Sequence, residues 1–362
     1  MPPDPPPVHV PLMKTGTLAT RLDSLEQTGR LIDAIELASM VNRTRPDPAL
    51  EARLVTLRYR TARATRTHTP TEGWPPSEPD RFPHAETLPE VAPSELSAGS
   101  MRAAIQHHGA LVVRRLIEPE RARSLAEGVE HALEAYDQRA GAATDMRHGD
   151  GPDDGWFIPL ELPAHEAAEL PRDWLRSQGS ILTADSPRML FSLLELYQEV
   201  GLMERVREHL GERPFLSATK CTLRRTIPPG ADQGWHQDGR FLRRDGPVRT
   251  VNVWLALSSC GAGTDAPGME ILPRRLPGIL ATGTDGADRD WVVGSGVVER
   301  EVEATGTPVI HPRFDPGDAI IFDDVLLHRT APGEGMSAPR HAIETWFFAP
   351  STFPASYPPL LV

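Results

Sequence analysis

Short runs in which every second residue is apolar fill much of the C-terminal half of the chain. The clearest run has two faces, formed by Val251, Val253, Leu255 and Leu257 and by Asn252, Trp254, Ala256 and Ser258. This alternation is typical of β strands. Similar runs, separated by Gly and Pro, predict strands at 215–226, 250–258, 268–272, 319–322 and 341–348.

The N-terminal half instead has apolar residues three or four positions apart, as at Leu18, Leu22 and Leu25. This spacing predicts two or three short helices between residues 17 and 65. Further predicted elements are a helix at 94–106, a strand at 110–117, a helix at 118–137, a loop at 141–155 and a helix at 186–210 with Ser186 as N-cap. Helices followed by strands predict an α+β chain whose C-terminal half is a β-sandwich or barrel.

Proline marks the boundaries between these regions. Residues 1–16 form a Pro-rich tail that we expect to be flexible, and 68–93 form a Pro-rich linker or strap. They enclose a helical segment at 17–67, and the remaining 94–362 are expected to form the main domain. Residues 1–93 could recruit a protein or carrier partner or pack on the main domain, and packing is the favoured interpretation.

Composition excludes several classes of protein. The chain of 362 residues carries a formal charge of −12 and has no basic block, which argues against a nucleic-acid binder. No run approaches the roughly 18 apolar residues of a membrane helix, and no secretory signal is visible. With Cys221 and Cys260 as the only cysteines, a cytoplasmic location is expected.

The sequence Trp-His-Gln-Asp-Gly at 235–239 is the most informative stretch. On an extended strand His236 and Asp238 point to the same side. A third donor, His328, follows 90 residues later, after a predicted strand. Two histidines and one carboxylate are the ligand set of non-haem Fe(II) oxygenases. The sequence therefore predicts a catalytic metal site at His236, Asp238 and His328.

Other residues compete for this assignment. His148 and Asp150 repeat the His-x-Asp spacing, but they lie in a Gly- and Asp-rich loop without a β pattern. Asp318, Asp323 and Asp324 are rival carboxylates, and we interpret them as turn or strand-end residues.

A candidate for binding a carboxylate follows the distal histidine. Arg340 begins a predicted strand 12 residues after His328, and a guanidinium can hold a carboxylate in a bidentate manner. Thr330 offers a hydroxyl on the face of His328. A surface arginine at a strand end is the alternative for Arg340.

Over residues 95–350 the chain resembles the phytanoyl-CoA dioxygenase (PhyH-like) family of Fe(II)/2-oxoglutarate-dependent oxygenases. The matching elements are the opening strand and helix at 109–120, the His-Gln-Asp motif at 236–238, the distal His328, Trp254, the segment at 268–273 and the Arg340-led strand. The usual Pro-Gly-Ser-His element here reads Pro-Arg-Arg-Leu at 273–276. Asp238 is retained, which argues against the halogenating relatives.

The resemblance implies a double-stranded β-helix of the jelly-roll type, with flanking helices and an extra N-terminal helical segment. It implies Fe(II) on His236, Asp238 and His328, with 2-oxoglutarate and O2 as cosubstrates. Arg340 and Thr330 would bind the distal carboxylate of 2-oxoglutarate, and Trp254 would line its pocket. Gln237 and Lys220 are further candidates for contacting the cosubstrate, although Lys220 could equally be a solvated strand lysine.

The implied reaction is oxidation of a C–H bond of a small organic molecule, coupled to decarboxylation of 2-oxoglutarate to succinate and CO2. Natural-product-like and acyl- or carrier-bound substrates fall within this class, and hydroxylation, desaturation and ring closure use the same residues. A non-catalytic relative with a binding or scaffold role, a cupin-type enzyme and a protein hydroxylase are the alternatives.

Two segments are candidate lids, at 139–180 with Trp156, Phe157 and Trp174 and at 281–308 with Trp291. Five arginines near the metal motif could hold an anionic substrate or a carrier phosphate, although pairing with surface acids is favoured: Arg224, Arg225, Arg240, Arg243 and Arg244.

Overall fold

The computed structural model of the chain describes residues 15–66, 74–142, 154–167, 170–228, 234–242, 248–331, 333 and 335–362. Residues 1–14 of the predicted tail and parts of the Pro-rich strap and of the loop at 141–155, together with His148, Arg243 and Arg244, lie outside these residues. The last two residues of the predicted tail, 15 and 16, instead begin the first helix.

Eleven α helices occur within the described residues. They are α1 (Thr15–Gln27), α2 (Leu31–Thr44), α3 (Pro48–Thr65), α4 (Ala98–His108), α5 (Pro119–Ala142), α6 (Ala164–Ala167), α7 (Arg172–Ser177), α8 (Pro187–Glu199), α9 (Leu202–Leu210), α10 (Gly239–Leu242) and α11 (Ser295–Thr305). None of them is long and apolar enough to cross a membrane.

Eleven strands are described. They are β1 (Glu90–Val91), β2 (Ala110–Val113), β3 (Ser180–Leu182), β4 (Phe215–Ser217), β5 (Thr222–Thr226), β6 (Thr250–Ala256), β7 (Gly268–Ile271), β8 (Ala319–Phe322), β9 (His328–Ala331), β10 (Arg340–Phe348) and β11 (Pro359–Leu361). The fold is therefore a mixed arrangement of helices and sheets.

Nine of the strands form one large sheet. Its main order is β1-β2-β8-β6-β10-β4-β11; β5 also pairs with β10, and β3 pairs with β5. Strands β7 and β9 form a separate antiparallel pair. The long strand β10 runs antiparallel to β6 on one side and to β4 and β5 on the other. Residues of β10 thus sit at the centre of the large sheet.

The two faces of β6 contact different layers. Val251, Val253 and Leu255 pack in a core with helices α5 and α8. Trp254 and Ala256 pack in a second core with Met269 and Ile271 of β7. The alternation predicted from the sequence thus separates a helix-facing side from a side that faces the small sheet.

Helices α1 to α3 share a core with the large sheet. Leu22, Leu54 and Leu57 pack with Phe215 of β4 and Trp346 of β10, among others. The buried guanidinium of Arg58 also donates a hydrogen bond to the carbonyl of Leu361 (2.9 Å). The favoured interpretation, packing on the main domain, agrees with these contacts.

The structure divides two predicted elements. The predicted helix at 186–210 is two helices, because Gly201 has a left-handed φ of 69° between them. Ser186 precedes α8, but its side chain makes no capping hydrogen bond. The predicted strand at 215–226 is β4 and β5, with a turn at 218–220 between them. The predicted strand at 110–117 already ends at Val113, and the helix at 94–106 begins only at Ala98.

Candidate metal and cosubstrate site

The two predicted metal-binding histidines lie side by side. The His236 amide donates to the His328 carbonyl (2.9 Å), and the His328 amide donates to the His236 carbonyl (3.1 Å). This pair of bonds joins the His-Gln-Asp motif to the start of β9, and the ring centroids are 4.4 Å apart. One ligand atom from each of His236, Asp238 and His328 lies within 4.8 Å of the others.

Backbone carbonyls orient both imidazoles. His236 Nδ1 donates to the carbonyl of Gly234 (2.8 Å), and His328 Nδ1 donates to the carbonyl of Leu326 (3.1 Å). With Nδ1 protonated, the neutral ring keeps its lone pair on Nε2. Burial lowers the pKa of His236 to about 4 and also lowers the pKa of His328. Both rings are therefore neutral near pH 7, the form that binds a metal.

The third member, Asp238, is held by a hydrogen bond at one end of its carboxylate, and the other end faces His236. Oδ1 lies 4.0 Å from His236 Nε2, and Oδ2 accepts a hydrogen bond from the Asn252 side-chain amide. Burial raises the pKa of Asp238 to about 7, which shows how unfavourable an uncompensated charge is at this position. The next residue has no room for a side chain, since a Cβ at Gly239 would lie 2.5 Å from Asp324 Oδ2.

Arg340 lies in a small cavity of about 40 Å³ that also adjoins His236, His328, Trp254 and Thr330. Its Nη1 donates to the carbonyls of Pro267 and Gly268, and its Nη2 donates to Thr226 Oγ1 (2.9 Å). The guanidinium carbon is 5.5 Å from the centre of the Trp254 ring. Arg340 is only 2% exposed, yet its Nε has no hydrogen-bond partner.

The charge of Arg340 is uncompensated within the described part of the chain, where no carboxylate forms an ion pair with it. Burial lowers its pKa only to about 10, so the guanidinium remains charged at neutral pH. A buried cation without a counterion is costly. The cavity is thus suited to a ligand that carries a carboxylate.

A second, larger cavity of about 320 Å³ also adjoins the metal cluster and shares Arg224, His236 and Glu344 with the first. It is lined by His236 and Asp238, by polar residues, and by large apolar side chains, among them Trp174, Leu175, Phe241, Trp291 and Trp346. Trp174 and Leu175 belong to the first candidate lid and Trp291 to the second, so both predicted segments contribute to this cavity.

The side chain of Gln237 does not line either cavity. Its Nε2 donates to the carbonyls of Gly278 and Val325, and its Oε1 accepts from the Leu280 amide (2.7 Å). The cosubstrate contact predicted for Gln237 therefore has no support. The residue instead ties the metal motif to two neighbouring loops, because alternate residues of an extended segment point to opposite sides.

Lys220 also lies elsewhere than predicted. It belongs to the turn between β4 and β5 rather than to a strand, and it lines the larger cavity instead of the cavity around Arg340. Burial lowers its pKa, while the charges of Asp238 and Glu344 act in the opposite sense. Its position in the larger cavity gives no support to the predicted cosubstrate contact, and it is not a solvated strand lysine.

The rival carboxylates take other roles. Asp318 pairs with Arg114 (2.6 Å), and Asp323 pairs with Arg275 (2.9 Å). Asp324 is not part of the three-residue cluster. In the predicted arginine group, Arg224 pairs with Glu344 and Arg225 with Glu130, whereas Arg240 donates to Thr282 Oγ1 (3.2 Å).

Sequence reasoning missed several residues of the site, among them Asn252, Thr226 and Glu344. Burial alone would raise the pKa of Glu344, but the Arg224 guanidinium and the Trp346 indole together hold it below its usual value. The period-two alternation of the strands could have identified two of these three residues, Asn252 and Glu344. Asn252 shares a face of β6 with Trp254, and Glu344 shares a face of β10 with Arg340.

A family model for phytanoyl-CoA dioxygenase (PhyH) matches residues 105–342, more than half of the chain. The chain belongs to this family. It is an oxygenase that depends on Fe(II) and 2-oxoglutarate, and the residues at the site fit both groups. Three ligand atoms converge with two imidazole Nε2 lone pairs available, and a buried arginine beside them lacks a counterion.

Several solved structures are similar to this chain at low sequence identity. EctD from S. alaskensis, solved with 2-oxoglutarate and 5-hydroxyectoine, is 16% identical with a TM-score of 0.47; the match covers 79% of this chain and 87% of EctD. EvdO2 from Micromonospora carbonacea var. aurantiaca, complexed with 2-oxoglutarate, is 18% identical with a TM-score of 0.42 and coverage of 72% and 91%. The non-heme alpha ketoglutarate dependent carbocyclase SnoK from nogalamycin biosynthesis is 11% identical with a TM-score of 0.45 and coverage of 72% and 87%. No curated protein matches the chain significantly.

Proposed function

We propose that this PhyH-family oxygenase hydroxylates a C–H bond of a small organic molecule, and that His236, Asp238 and His328 hold the iron. The observation that carries the proposal is the convergence of the three ligand atoms within 4.8 Å, beside a cavity large enough for a small molecule. When bound together, iron and 2-oxoglutarate supply the oxidising chemistry, with succinate and CO2 as coproducts.

In this proposal the cavity around Arg340 receives the cosubstrate. The guanidinium binds the distal carboxylate through its unpartnered Nε, and Thr226 and the carbonyls of Pro267 and Gly268 hold the guanidinium in place. Trp254 forms one wall. Thr330 lines the same cavity and is proposed to offer its hydroxyl to the same carboxylate.

The other residues position the target. The aromatic walls of the larger cavity, including Trp291 and Phe241, exclude water and orient the substrate next to His236 and Asp238. Natural-product-like molecules fit such walls. Desaturation or ring closure would use the same residues, so the outcome of the reaction depends on the substrate.

We also propose that the fold is a double-stranded β-helix. The inner face of β6 and β10 and the small sheet of β7 and β9 enclose one core, and His328 and Arg340 come from opposite sheets. In this arrangement residues 94–362 form the oxygenase domain. The helical segment at 17–67 completes its core instead of forming a separate unit.

Succinate formation tests the proposed function. Purified protein with Fe(II), 2-oxoglutarate and O2 is screened against small molecules, and Asp238→Ala is compared with Asp323→Asn, which changes a rival carboxylate. We expect substrate-stimulated succinate release that Asp238→Ala abolishes and Asp323→Asn retains. Equal turnover by Asp238→Ala and the native protein would remove Asp238 from the site, and loss in Asp323→Asn alone would favour the rival.

A further inference from the structure

The larger cavity shares five lining residues with a neighbouring compartment of unusual charge, here called the outer compartment. This outer compartment, also about 320 Å³, is lined by Pro171, Thr219, Lys220, Arg240, Phe241, Trp291, Ser356 and Tyr357. Two of these residues are cationic and none is acidic. In a chain with a net charge of −12, a cationic compartment beside the reaction site concentrates anions.

Lys220 is held in this compartment by aromatic rings. Its Nζ lies 4.8 Å from the ring centre of Phe241, 5.2 Å from that of Trp346 and 5.6 Å from that of Tyr357. No oxygen atom of the described residues accepts a hydrogen bond from Nζ. Ring faces attract an ammonium ion without neutralising it, so three donor hydrogens remain for a ligand.

The cage around Lys220 is itself fixed by hydrogen bonds. The Tyr357 hydroxyl donates to the carbonyl of Phe241 (3.2 Å), and the Trp346 indole donates to Glu344 Oε1 (2.7 Å). Phe241 packs against Trp291, with ring centres 5.9 Å apart. The position of the ammonium is therefore set before any ligand binds, which lowers the entropic cost of binding.

The identity of the residue at position 220 is also informative. Of the 38 basic residues in the chain only Lys14 and Lys220 are lysines. An ammonium ion is a compact point charge with three rotatable donors, whereas a guanidinium is planar and wide. A three-ring cage of this size suits the ammonium ion, so position 220 carries the type of cation that its surroundings require.

Other cations near the cavity are already neutralised. Arg224, which also lines the larger cavity, pairs with Glu344 (2.5 Å). Arg240 is different, because among the described residues its contact is with the neutral hydroxyl of Thr282. Within the part of the chain that the structure describes, Lys220 and Arg240 are thus the two cations that line the outer compartment without a carboxylate partner.

We propose that Lys220 and Arg240 form an anion subsite that binds a carboxylate or phosphate group of the substrate, so that the enzyme selects acidic small molecules. The subsite rests on the proposed function, because it anchors one end of a molecule whose other end reaches the metal cluster. Phe241 and Trp291 line the path between the two, and the ring of Trp291 is 6.3 Å from that of His236.

The test uses protein loaded anaerobically with Fe(II) and saturating 2-oxoglutarate, so that the cavity around Arg340 is already filled. Phenylacetate, phenyl phosphate and the neutral phenylacetamide are titrated, and binding is followed by tryptophan fluorescence. The variants are Lys220→Met, Lys220→Arg and Arg240→Gln. Arg123→Gln removes one positive charge from the exposed surface of α5 and is the matched control.

We expect an anion to bind at least tenfold more tightly than phenylacetamide in the native protein. Lys220→Met should abolish this preference for the anion, whereas Lys220→Arg should keep part of it. Arg240→Gln should reduce the preference several-fold. The control Arg123→Gln should leave it unchanged. Tighter binding of phenyl phosphate than of phenylacetate would assign the subsite to a phosphate, and the reverse order would assign it to a carboxylate.

Three results would overturn the subsite: no saturable binding of either anion, equal binding of anion and amide, or the same preference in Lys220→Met as in the native protein. An equal loss of the preference in Arg123→Gln would also overturn the subsite, because the preference would then come from net charge.

The absorption band of the Fe(II)–2-oxoglutarate complex is recorded before each titration. Its absence from the native protein would refute the proposed function, whereas a normal band without anion preference would refute the subsite alone.

Discussion

The side-chain amide of Asn252 donates a hydrogen bond to Oδ2 of Asp238, while the other carboxylate oxygen lies 4.0 Å from His236 Nε2. Asn252 thereby fixes the carboxylate in the orientation in which Oδ1 faces the imidazoles. Groups that orient metal ligands typically contribute ten- to a hundredfold to metal affinity.

Asn252→Ala is therefore expected to weaken Fe(II) binding by about ten- to a hundredfold. The measurement is a competition titration of Fe(II) against a chelator. Asn42→Ala is the matched control, because Asn42 is also buried but bonds to Glu51 within the N-terminal helices. If both variants bound Fe(II) as the native protein does, Asn252 would have no role in positioning Asp238.

Arg340→Met is expected to raise the 2-oxoglutarate concentration for half-maximal binding by at least tenfold, because a charge-assisted hydrogen bond contributes roughly 1.5–3 kcal/mol. Arg172→Met serves as the control, since Arg172 is a largely buried arginine that pairs with Asp185 and does not line the cavity around Arg340. An unchanged 2-oxoglutarate requirement in Arg340→Met would mean that another group holds the distal carboxylate.

Thr226 and Thr330 are expected to act in different ways. Thr226→Val removes the oxygen that accepts from Arg340 Nη2, so it should weaken 2-oxoglutarate binding by roughly the value of one hydrogen bond, about 1 kcal/mol or fivefold. Thr330→Val should have a similar effect only if its hydroxyl contacts the carboxylate directly. The double variant tells the two roles apart, since additive losses indicate independent contacts.

The N-terminal helices are expected to be required for stability. Leu57 is 1% exposed and belongs to the core that includes Phe215 and Trp346, so Leu57→Ala should lower the free energy of unfolding by about 2–5 kcal/mol. Chemical denaturation measures this change. Leu37→Ala, at a partly buried position at the edge of the same core, should cost less. Equal and small losses would show that the helices are only loosely attached.

Period-two alternation predicted the central strands of the large sheet, because the two faces of a strand such as β6 pack in different cores. It did not predict the short strands β1, β3 and β11. The strand at 319–322 has the predicted bounds, and both faces of β6 pack as expected. The metal cluster could be predicted because His236 and Asp238 are two residues apart on an extended segment and His328 completes a two-histidine, one-carboxylate ligand set, which the family resemblance also implies.

Other features depend on contacts that sequence does not reveal. The turn that carries Lys220 contains neither Gly nor Pro, and it exists because β4 and β5 pair with successive parts of β10. The role of Gln237 depends on backbone groups of two loops, which lie 41 to 43 and 88 residues later in the chain. By contrast, Gly201 was a visible signal for the helix break, since a left-handed residue interrupts a helix.

The most direct test of the central claim is an anaerobic titration of the purified protein with Fe(II) and 2-oxoglutarate. The weak visible band of a chelated keto acid is followed in the native protein and in His236→Ala. The account predicts the band in the native protein and its loss in the variant, with both proteins folded by circular dichroism. No band in the native protein, or the same band in His236→Ala, would contradict a site built on His236, Asp238 and His328.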